Sequence, residues 1–252
     1  MKSSTHGHHV DSKFILLRRH FMQNTTDQYL EEPTIEHNGI TKLTSLAASL
    51  RDRIVKHEIP PGSKLREQDL ADEYDVPRTK VRDALAELQQ RGLIERIPNR
   101  GAIVIKLDLQ QVIELYKVRE VLEGLMARLA TENAPRESWQ DLVDLFGQPM
   151  ETYIKEGNFE AFISGYELFR NRLLKAASNP VLTAMISSIY EKTQMVIRRT
   201  IVLPGRGEEG LQQHRAVLAA MRRGDADEAE RLRRQNMRSA QEFLERYQSF
   251  IL

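Results

Sequence analysis

The stretch GSKLREQDLADEYDVPRTKVRDALAELQQRGLIERIPNRGAIV, residues 62–104, decides the fold of the N-terminal half of the chain. Apolar residues at helical spacing predict a short helix at about 67–74 and a longer one at about 78–91. The tripeptide Asp-Val-Pro at 75–77 predicts a turn between them. The alternating residues that follow predict two short strands, joined by a turn at 98–101.

A further helix precedes this stretch. Leucine, isoleucine and valine recur at helical spacing after Thr41, and Pro60-Pro61-Gly62 ends the pattern because proline cannot continue a helix. Helix, helix, turn, helix and hairpin within 41–106 is the layout of a winged helix–turn–helix. In that unit the third helix enters the DNA major groove.

The remaining residues predict helices without a strand. Gly, Pro and Asn-Pro breaks separate helical patterns at about 109–132, 137–155, 159–177, 180–200, 208–223 and 225–249. Six such helices predict an antiparallel bundle, so the fold class is mostly α. We expect three parts: 1–40 as an N-terminal arm, 41–106 as the DNA-binding domain, and 107–252 as an effector-binding and dimerisation domain.

Charge and composition exclude several classes of protein. The 252 residues have a net charge of +1, which excludes a globally basic DNA coat, but 41–106 holds 13 Lys and Arg against 10 Asp and Glu. With no cysteine, disulfides, thiolate metal sites and Cys nucleophiles are excluded. No apolar run reaches the ~20 residues of a membrane helix. We expect a cytoplasmic protein.

The predicted third helix carries residues suited to DNA. On a helical wheel Thr79 and Arg82 point away from the apolar side, with Arg78 at the exposed first turn. Arginine can bond a guanine edge through two hydrogen bonds or pair with a phosphate. In the wing turn, Arg100 adds a charge and Gly101 allows close backbone approach.

The quoted stretch resembles the DNA-binding domain of the GntR family of bacterial repressors. The resemblance implies base-reading arginines at Arg78 and Arg82, contacts to phosphate or base at Thr79 and Lys80, and a wing-tip glycine at Gly101. It also implies a contact at Gln68, as in some members. This chain departs from the family at Pro77, where Ser or Thr usually caps the third helix, and Asp75 is the candidate substitute.

Four predicted bundle helices carry a polar side chain on or beside their apolar stripe. These are Arg119, Arg170, His214 and Asn236. Buried polar groups need partners, so one interpretation is a satisfied network, for example Arg119 paired with a nearby glutamate. Four such stripes together favour a polar cavity for a small ligand, and two arginines favour an anion.

The bundle sequence resembles the FCD effector domain of the FadR-type branch, and six helices suggest its shorter, vanillate-regulator-like subgroup. The segments LYKVREVLEGLMARLA, NRLLKAASNPVL and QQHRAVLAAMRRGDADEAERLRRQNM carry the resemblance. Many members bind a divalent metal through one Asp and three His, and those positions fall here on Tyr166, Arg170, His214 and Asn236. Only His214 is of the ligand type, so we expect no metal cofactor, with Arg170 and Arg119 binding the anion instead.

The sequence therefore predicts a transcription regulator, a repressor, that binds double-stranded DNA as a homodimer and responds to a small carboxylate or other anion. Two alternatives remain. One is a DNA-binding adaptor without an effector, which would lack a pocket. The other is an enzyme with a helical catalytic domain, disfavoured because no Gly-rich phosphate loop, histidine metal pair or serine elbow is present.

Overall fold

The computed structural model describes residues 38–97 and 101–251. The predicted arm before Asn38 and the wing turn, with Arg100, lie outside the described residues. Residues 42–252 form one compact unit. Of the helices within the described ranges, none is long and apolar enough to cross a bilayer.

The N-terminal part is a winged helix–turn–helix. Its helices are α1 (Asn38–Val55), α2 (Glu67–Tyr74) and α3 (Arg78–Gln90), and its strands are β1 (Lys64–Leu65), β2 (Ile94–Ile97) and β3 (Gly101–Val104). The strands form an antiparallel sheet in the order β1-β3-β2. The sequence did not predict β1, because two residues are too few to give an alternating pattern.

A single apolar core holds this part together. The fully buried side chains Leu50, Ile54, Leu85, Leu88 and Leu93 come from α1, α3 and the turn after α3. Each large apolar side chain removed from water contributes about 1.5–3 kcal/mol. Burying one face of α3 leaves its opposite face for solvent.

Gly101 begins β3 with a φ of +86°. A Cβ at this position would lie 2.5 Å from the carbonyl oxygen of Leu65 in β1. The close backbone approach predicted for this glycine is therefore made by β1 of the same chain. Both the backbone conformation and the space require glycine.

The C-terminal part is a helical bundle. Its elements are α4 (Leu109–Asn133), α5 (Gln140–Leu145), α6 (Gln148–Lys155), α7 (Phe159–Ala177), α8 (Pro180–Ile201), α9 (Arg206–Arg223), α10 (Ala226–Arg246) and the short α11 (Gln248–Ile251). These make about six helices, counting α5 and α6 as the two halves of one broken helix and leaving out the four-residue α11. The core centres on Trp139, Phe146, Phe169 and their neighbours.

The second predicted bundle helix is broken, which corrects the continuous helix expected at 137–155. A 3₁₀ turn (Arg136–Trp139) leads into α5, and α6 begins after Gly147. Gly147 has a ψ of −130°, which is not helical, and Pro149 lies in the first turn of α6, where its missing N–H leaves no bond unmade.

Side chains cap most of the long bundle helices at their N-termini. Asp108 accepts from the backbone of Gln111 in a capping box, and Asn158, Asn179 and Asp225 cap α7, α8 and α10. By contrast, α3 starts at Pro77 with no side-chain cap. The expectation that Asp75 caps α3 is wrong, because Asp75 adopts a left-handed conformation and ends α2 instead.

The helix α8 belongs to both parts of the molecule. Leu182 and Ile186 lie in the bundle core, whereas Met195 lies in the core of the winged part. The ring of His57 bonds to the carbonyl oxygen of Met195 at 2.9 Å, and Arg91 pairs with Glu191 at 2.7 Å. One helix thus connects the bundle to the winged part.

Candidate DNA interface and ligand cavity

The exposed face of α3 presents the residues predicted to read DNA. Val81, Ala84, Leu85 and Leu88 point into the core, and Arg78, Thr79 and Arg82 point to solvent. The Arg78 and Arg82 side chains are 54% and 52% exposed. The structure thus brings these three side chains to one surface, as the helical wheel predicted.

Glu67 organises this surface and was not predicted from the sequence. Its carboxylate accepts from Arg82 Nε at 2.7 Å and from Arg78 Nη2 at 3.3 Å, and lies 3.6 Å from Arg96 Nη2. The Arg82 hydrogen bond is the main cause that holds the pKa of Glu67 below its ordinary value. Glu67 therefore stays ionised and orients arginines from α3 and β2. A glutamate at the start of α2, close to the start of α3, was the sequence feature that could have identified this contact.

The other predicted DNA contacts lie on the same part of the chain. Gln68 is exposed and donates to Asp72 at 2.8 Å, and Lys80 is half-buried in the first turn of α3. Gly101 lies next to the wing turn.

In the bundle, the structure brings the five predicted effector residues into one buried cluster. Arg119, Arg170, His214, Asn236 and Tyr166 are all buried. Arg119 Nη2 lies 3.4 Å from the Tyr166 hydroxyl, and the rings of Tyr166 and His214 meet edge to face at 5.2 Å. The guanidinium of Arg170 stacks on Tyr190 at 3.8 Å.

Arg233 lies at the centre of this cluster and was missed by the sequence analysis. Its guanidinium contacts His214 Nε2 at 3.2 Å, Asn236 Oδ1 at 2.7 Å and the Tyr166 hydroxyl at 3.1 Å, and it pairs with Glu123. Its position three residues before Asn236, on the same face of α10, was the signal that could have identified it.

Glu123 compensates part of the buried charge. Its Oε1 accepts from Arg119 Nε at 3.0 Å and from Arg119 Nη2 at 2.6 Å. Burial favours the neutral acid, yet Arg233 and Arg119 outweigh burial and lower the pKa of Glu123 to about 2. Glu123 is therefore ionised at neutral pH. This is the glutamate pairing that the sequence analysis considered for Arg119.

His214 is neutral in this environment. Burial, and then the charge of Arg233, lower its pKa to about 3. Its Nδ1 lies 2.5 Å from the Gly210 carbonyl oxygen, which can only accept, so Nδ1 carries the proton. Its Nε2 then accepts from Arg233. A ring nitrogen that already accepts from a guanidinium does not fit a divalent metal.

A divalent metal would need further ligands beside His214. Among the described residues there is no group of three or more His, Cys, Asp or Glu that could hold a metal ion. Of the four residues at the family's metal-ligand positions, Arg233 contacts three: Tyr166, His214 and Asn236.

The cluster contains more buried positive than negative charge. Arg119, Arg170, Arg206 and Arg233 are buried, and Glu123 is the one buried carboxylate among the residues whose burial is described. Several guanidinium nitrogens have no hydrogen-bond partner: Arg119 Nη1, Arg170 Nε and Nη2, Arg206 Nη1 and Arg233 Nε. Cation–π contacts offset part of the free-energy cost of burying these charges. The Arg119 guanidinium, for example, lies 5.0 Å from the Tyr116 ring centre.

A cavity of about 50 Å³ opens beside the cluster. Its apolar wall includes Ile197 of α8. Its polar wall is formed by Arg119, Tyr166, Thr200, Arg206, His214 and Asn236. Arg170 and Arg233 lie behind this wall and do not line the cavity. The space is sufficient for a small anionic group.

Two family models match the chain. The model of the "Bacterial regulatory proteins, gntR family" matches residues 43–104, and that of the "FCD domain" matches residues 114–239. Together they cover the winged part and most of the bundle.

Curated relatives are similar over most of their length. The "Galactonate operon transcriptional repressor" of Escherichia coli (strain K12) is 29% identical over 216 residues, with 76% of this chain and 91% of the relative covered. The "Probable D-xylose utilization operon transcriptional repressor" of Paenarthrobacter nicotinovorans is 26% identical over 192 residues, with 74% and 83% covered.

Solved structures share the fold. "E. coli McbR/YncC" superposes with a TM-score of 0.67 at 22% identity, covering 82% of this chain and 98% of that chain. A transcriptional regulator from Rhodococcus sp. RHA1 has a TM-score of 0.66 at 21% identity, covering 82% and 99%.

Proposed function

Since the chain belongs to the GntR family of bacterial regulators, with an FCD domain after its winged helix–turn–helix, it is a DNA-binding transcription regulator, and we propose that it is a repressor controlled by a small anion bound in the bundle. The vanillate-regulator-like subgroup is part of this proposal. One observation supports the anion: among the residues whose burial is described, four arginines are buried and Glu123 is the one buried carboxylate.

The electrostatic argument favours a ligand with negative charge. A buried charge without a partner costs several kcal/mol, and a buried guanidinium nitrogen without an acceptor adds to that cost. Arg206 is the clearest case, because burial lowers its pKa and its Nη1 has no acceptor. A carboxylate in the cavity would accept from Arg206 and Arg119 and so offset the excess charge.

The residues around the cavity have distinct roles in this proposal. Arg119, with Arg206, would bind the anion, and His214 and Asn236 would bond to its polar atoms. Tyr166 would face the anion from the cavity wall, and Arg170 would support the wall from behind. Sugar acids are the first class to test, because one relative is named for galactonate.

The anion must act on DNA binding through the connection between the two parts. The cavity is small, so a ligand larger than its anionic group has to displace part of the wall, and α8 supplies Ile197 there. The same helix holds Met195 and Glu191 against the winged part. We infer that the ligand acts by moving α8, because ligand control requires unequal affinity for two arrangements.

The DNA contacts follow from the exposed surface around α3. Arg82 and Arg78 would read base edges, and Thr79, Lys80, Gln68, Arg100 and Gly101 would contact phosphate or base. A homodimer would match two such surfaces to an inverted repeat. Since its DNA target lies there, we infer a cytoplasmic location.

The test combines thermal stability with operator binding. Carboxylic and sugar acids are screened for an increase in melting temperature, and the best one is then added to the protein bound to an operator selected from random DNA. Specific stabilisation together with changed operator affinity supports the proposal. If no acid stabilises the protein above the effect of equal ionic strength, the DNA-binding adaptor without an effector is favoured.

Arg206→Met provides the decisive variant. It removes one buried charge, so we expect the ligand-free protein to be as stable as wild type or more stable. We also expect the apparent affinity for the best acid, measured from thermal stabilisation, to fall at least tenfold. Arg231→Met, at an arginine on α10 that is 58% exposed, is the matched control. Equal affinity of both variants for the acid would refute the role of Arg206.

A further inference from the structure

The cavity beside the buried cluster has an apolar wall as well as a polar one. Three helices, α7, α8 and α10, bring apolar side chains to it. These side chains are Phe162, Ile163, Ile197, Ile201, Met237 and Ala240. Contact between such a wall and a hydrocarbon group is favourable, whereas a hydroxyl buried against it without a partner is costly. A ligand that fits this cavity therefore has an apolar part in addition to its charge.

Three side-chain acceptors of the polar wall are already in use. Asn236 Oδ1 and His214 Nε2 accept from Arg233, at 2.7 and 3.2 Å. The Tyr166 hydroxyl lies 3.1 Å from Arg233 Nη2 and 3.4 Å from Arg119 Nη2, so its oxygen accepts from both. A sugar acid has a hydroxyl on most of its carbons, and each buried hydroxyl needs a partner. Such a ligand would compete with the two arginines for these acceptors.

The polar wall has donors for one carboxylate. Arg119 Nη1 and Arg206 Nη1 are buried without an acceptor. The Tyr166 hydroxyl, whose oxygen accepts from two guanidinium groups, still has its own proton to donate. Two guanidinium groups and a phenol suit the two oxygens of a single carboxylate. A second carboxylate on the same ligand would have to lie against apolar side chains, where a buried charge without a partner is unfavourable.

The size of the cavity limits the apolar part of the ligand. About 50 Å³ holds about four water-sized groups, which a carboxylate and one further carbon fill. The remaining carbons have to separate the apolar side chains. Ile197 and Ile201 of α8 are half-buried, whereas the apolar side chains from α7 and α10 are buried. A short hydrocarbon body that enters on the α8 side therefore displaces the least tightly packed part of the wall.

We propose that the effector is a monocarboxylate with a short hydrocarbon body rather than a sugar acid. Its carboxylate accepts from Arg119 and Arg206, and its carbons lie between Ile197 and Ile201 of α8 and the apolar side chains of α7 and α10. The proposal rests on the anion-controlled function given above and names the class of anion.

Calorimetric titration with a homologous series of acids tests the hydrocarbon body. Acetate, propionate, butyrate and pentanoate are compared at equal ionic strength. Each added carbon should tighten binding about fourfold until the apolar wall is filled, because a methylene group is removed from water at each step. An affinity that does not change with chain length would overturn the proposal.

Two further acids with four carbons serve as matched competitors of butyrate. Erythronate carries a hydroxyl on each carbon beyond its carboxylate, and succinate carries a second carboxylate. Each should bind about tenfold more weakly than butyrate, because it buries polar groups against the apolar wall. If erythronate or succinate binds as tightly as butyrate or more tightly, the proposed class is wrong, while control by an anion stands.

A matched pair of substitutions on α8 locates the hydrocarbon body. Ile197→Thr keeps the β-branch and puts a hydroxyl into the apolar wall. Ile189→Thr makes the same change at a half-buried isoleucine of the same helix that does not line the cavity. We expect Ile197→Thr to weaken butyrate binding about tenfold and Ile189→Thr to bind butyrate as wild type does. Equal affinity of both variants would overturn the placement of the body. If Ile197→Thr does not fold, Ile201→Thr replaces it.

Butyramide separates this proposal from the function on which it rests. It has the carbons of butyrate without the charge, so it should bind about a hundredfold more weakly. Binding of butyramide as tight as that of butyrate would refute the anion, and the proposed function with it, while keeping the apolar wall. If none of the acids binds, neither the proposed function nor the class of effector stands.

Discussion

At the scale of single residues, Arg82 combines exposure with a fixed orientation. It is half exposed on α3, and Glu67 holds its Nε at 2.7 Å. A guanidinium that is already oriented loses less side-chain entropy when it binds a base. This contact with Glu67 would favour the proposed reading of a base edge by Arg82 over simple attraction to phosphate.

Arg82→Ala should weaken operator binding by about 1–3 kcal/mol and relax the preference at one base pair of each half-site. Binding to random DNA should fall much less, because phosphate attraction is spread over many groups. Quantitative binding to the selected operator and to its single-base variants measures both effects. Arg231→Ala, remote from α3 in sequence and exposed, is the control. An unchanged operator affinity would refute the assignment of α3 as the recognition helix.

His214 makes the stability of the fold depend on pH. Its folded pKa of about 3 lies below its ordinary value of 6.5, so the unfolded chain binds the proton more readily. Stability should therefore fall as pH decreases from about 6.5 towards 3, with a slope of at most about 1.4 kcal/mol per pH unit from this group.

His214→Asn retains a group that can donate to Gly210 but removes this titration. Urea unfolding at several pH values measures the difference, and between pH 6.5 and 4.5 the variant should lose less stability than wild type. His57, whose pKa burial also lowers, is present in both proteins and cancels in the comparison. Parallel pH profiles would mean that His214 is not held neutral by its surroundings.

Some residues of the buried cluster could be predicted from the sequence and others could not. Arg119, Arg170, His214 and Asn236 were predicted because each interrupts or borders an apolar stripe on its own helix. Arg233 and Arg206 were not, because each lies in a run of polar residues that reads as a solvent face. The spacing of Arg233 from Asn236 was a local clue, but the burial of both arginines depends on how α9 and α10 pack.

At the scale of elements, the helices were predicted best where apolar spacing and a break agree. The bounds of α2, α3, α7 and α8 differ from the predicted ones by a residue or so. The break between α5 and α6 was missed although Gly147 and Pro149 together signal it, because the apolar spacing continues across them. The short strand β1 was missed because two residues give no alternating pattern and their partners, Ala102 and Ile103, lie far along the chain.

Met195 is the residue through which α8 stabilises the winged part. It is 3% exposed, so Met195→Ala should destabilise the protein by about 2–5 kcal/mol. Chemical denaturation measures the loss. The control is Val202→Ala, at the exposed residue that follows α8, and its effect is expected within about 0.5 kcal/mol. A loss as small as that of the control would show that Met195 is not packed in the core of the winged part.

At the scale of the whole molecule, the winged part and the bundle were predictable from the sequence, and the connection between them was not. The charge excess of residues 41–106 and the turn positions predicted a DNA-binding part, and helical spacing predicted the bundle. That one helix contributes to both cores follows only from tertiary packing. From the sequence alone, Met195 is indistinguishable from the other apolar residues of an amphipathic bundle helix.

This shared helix has a consequence for how the chain melts. Two domains joined by a free linker would give two heat-absorption peaks, each with its own midpoint. Here neither core is complete without α8, since Leu182 and Ile186 belong to one and Met195 to the other. Scanning calorimetry should therefore record one peak for both parts, and an acid that binds only in the bundle should raise the midpoint of the entire transition. Two separate peaks, with only the upper or lower one moved by the acid, would mean that the regulator senses and binds DNA with independently folding units.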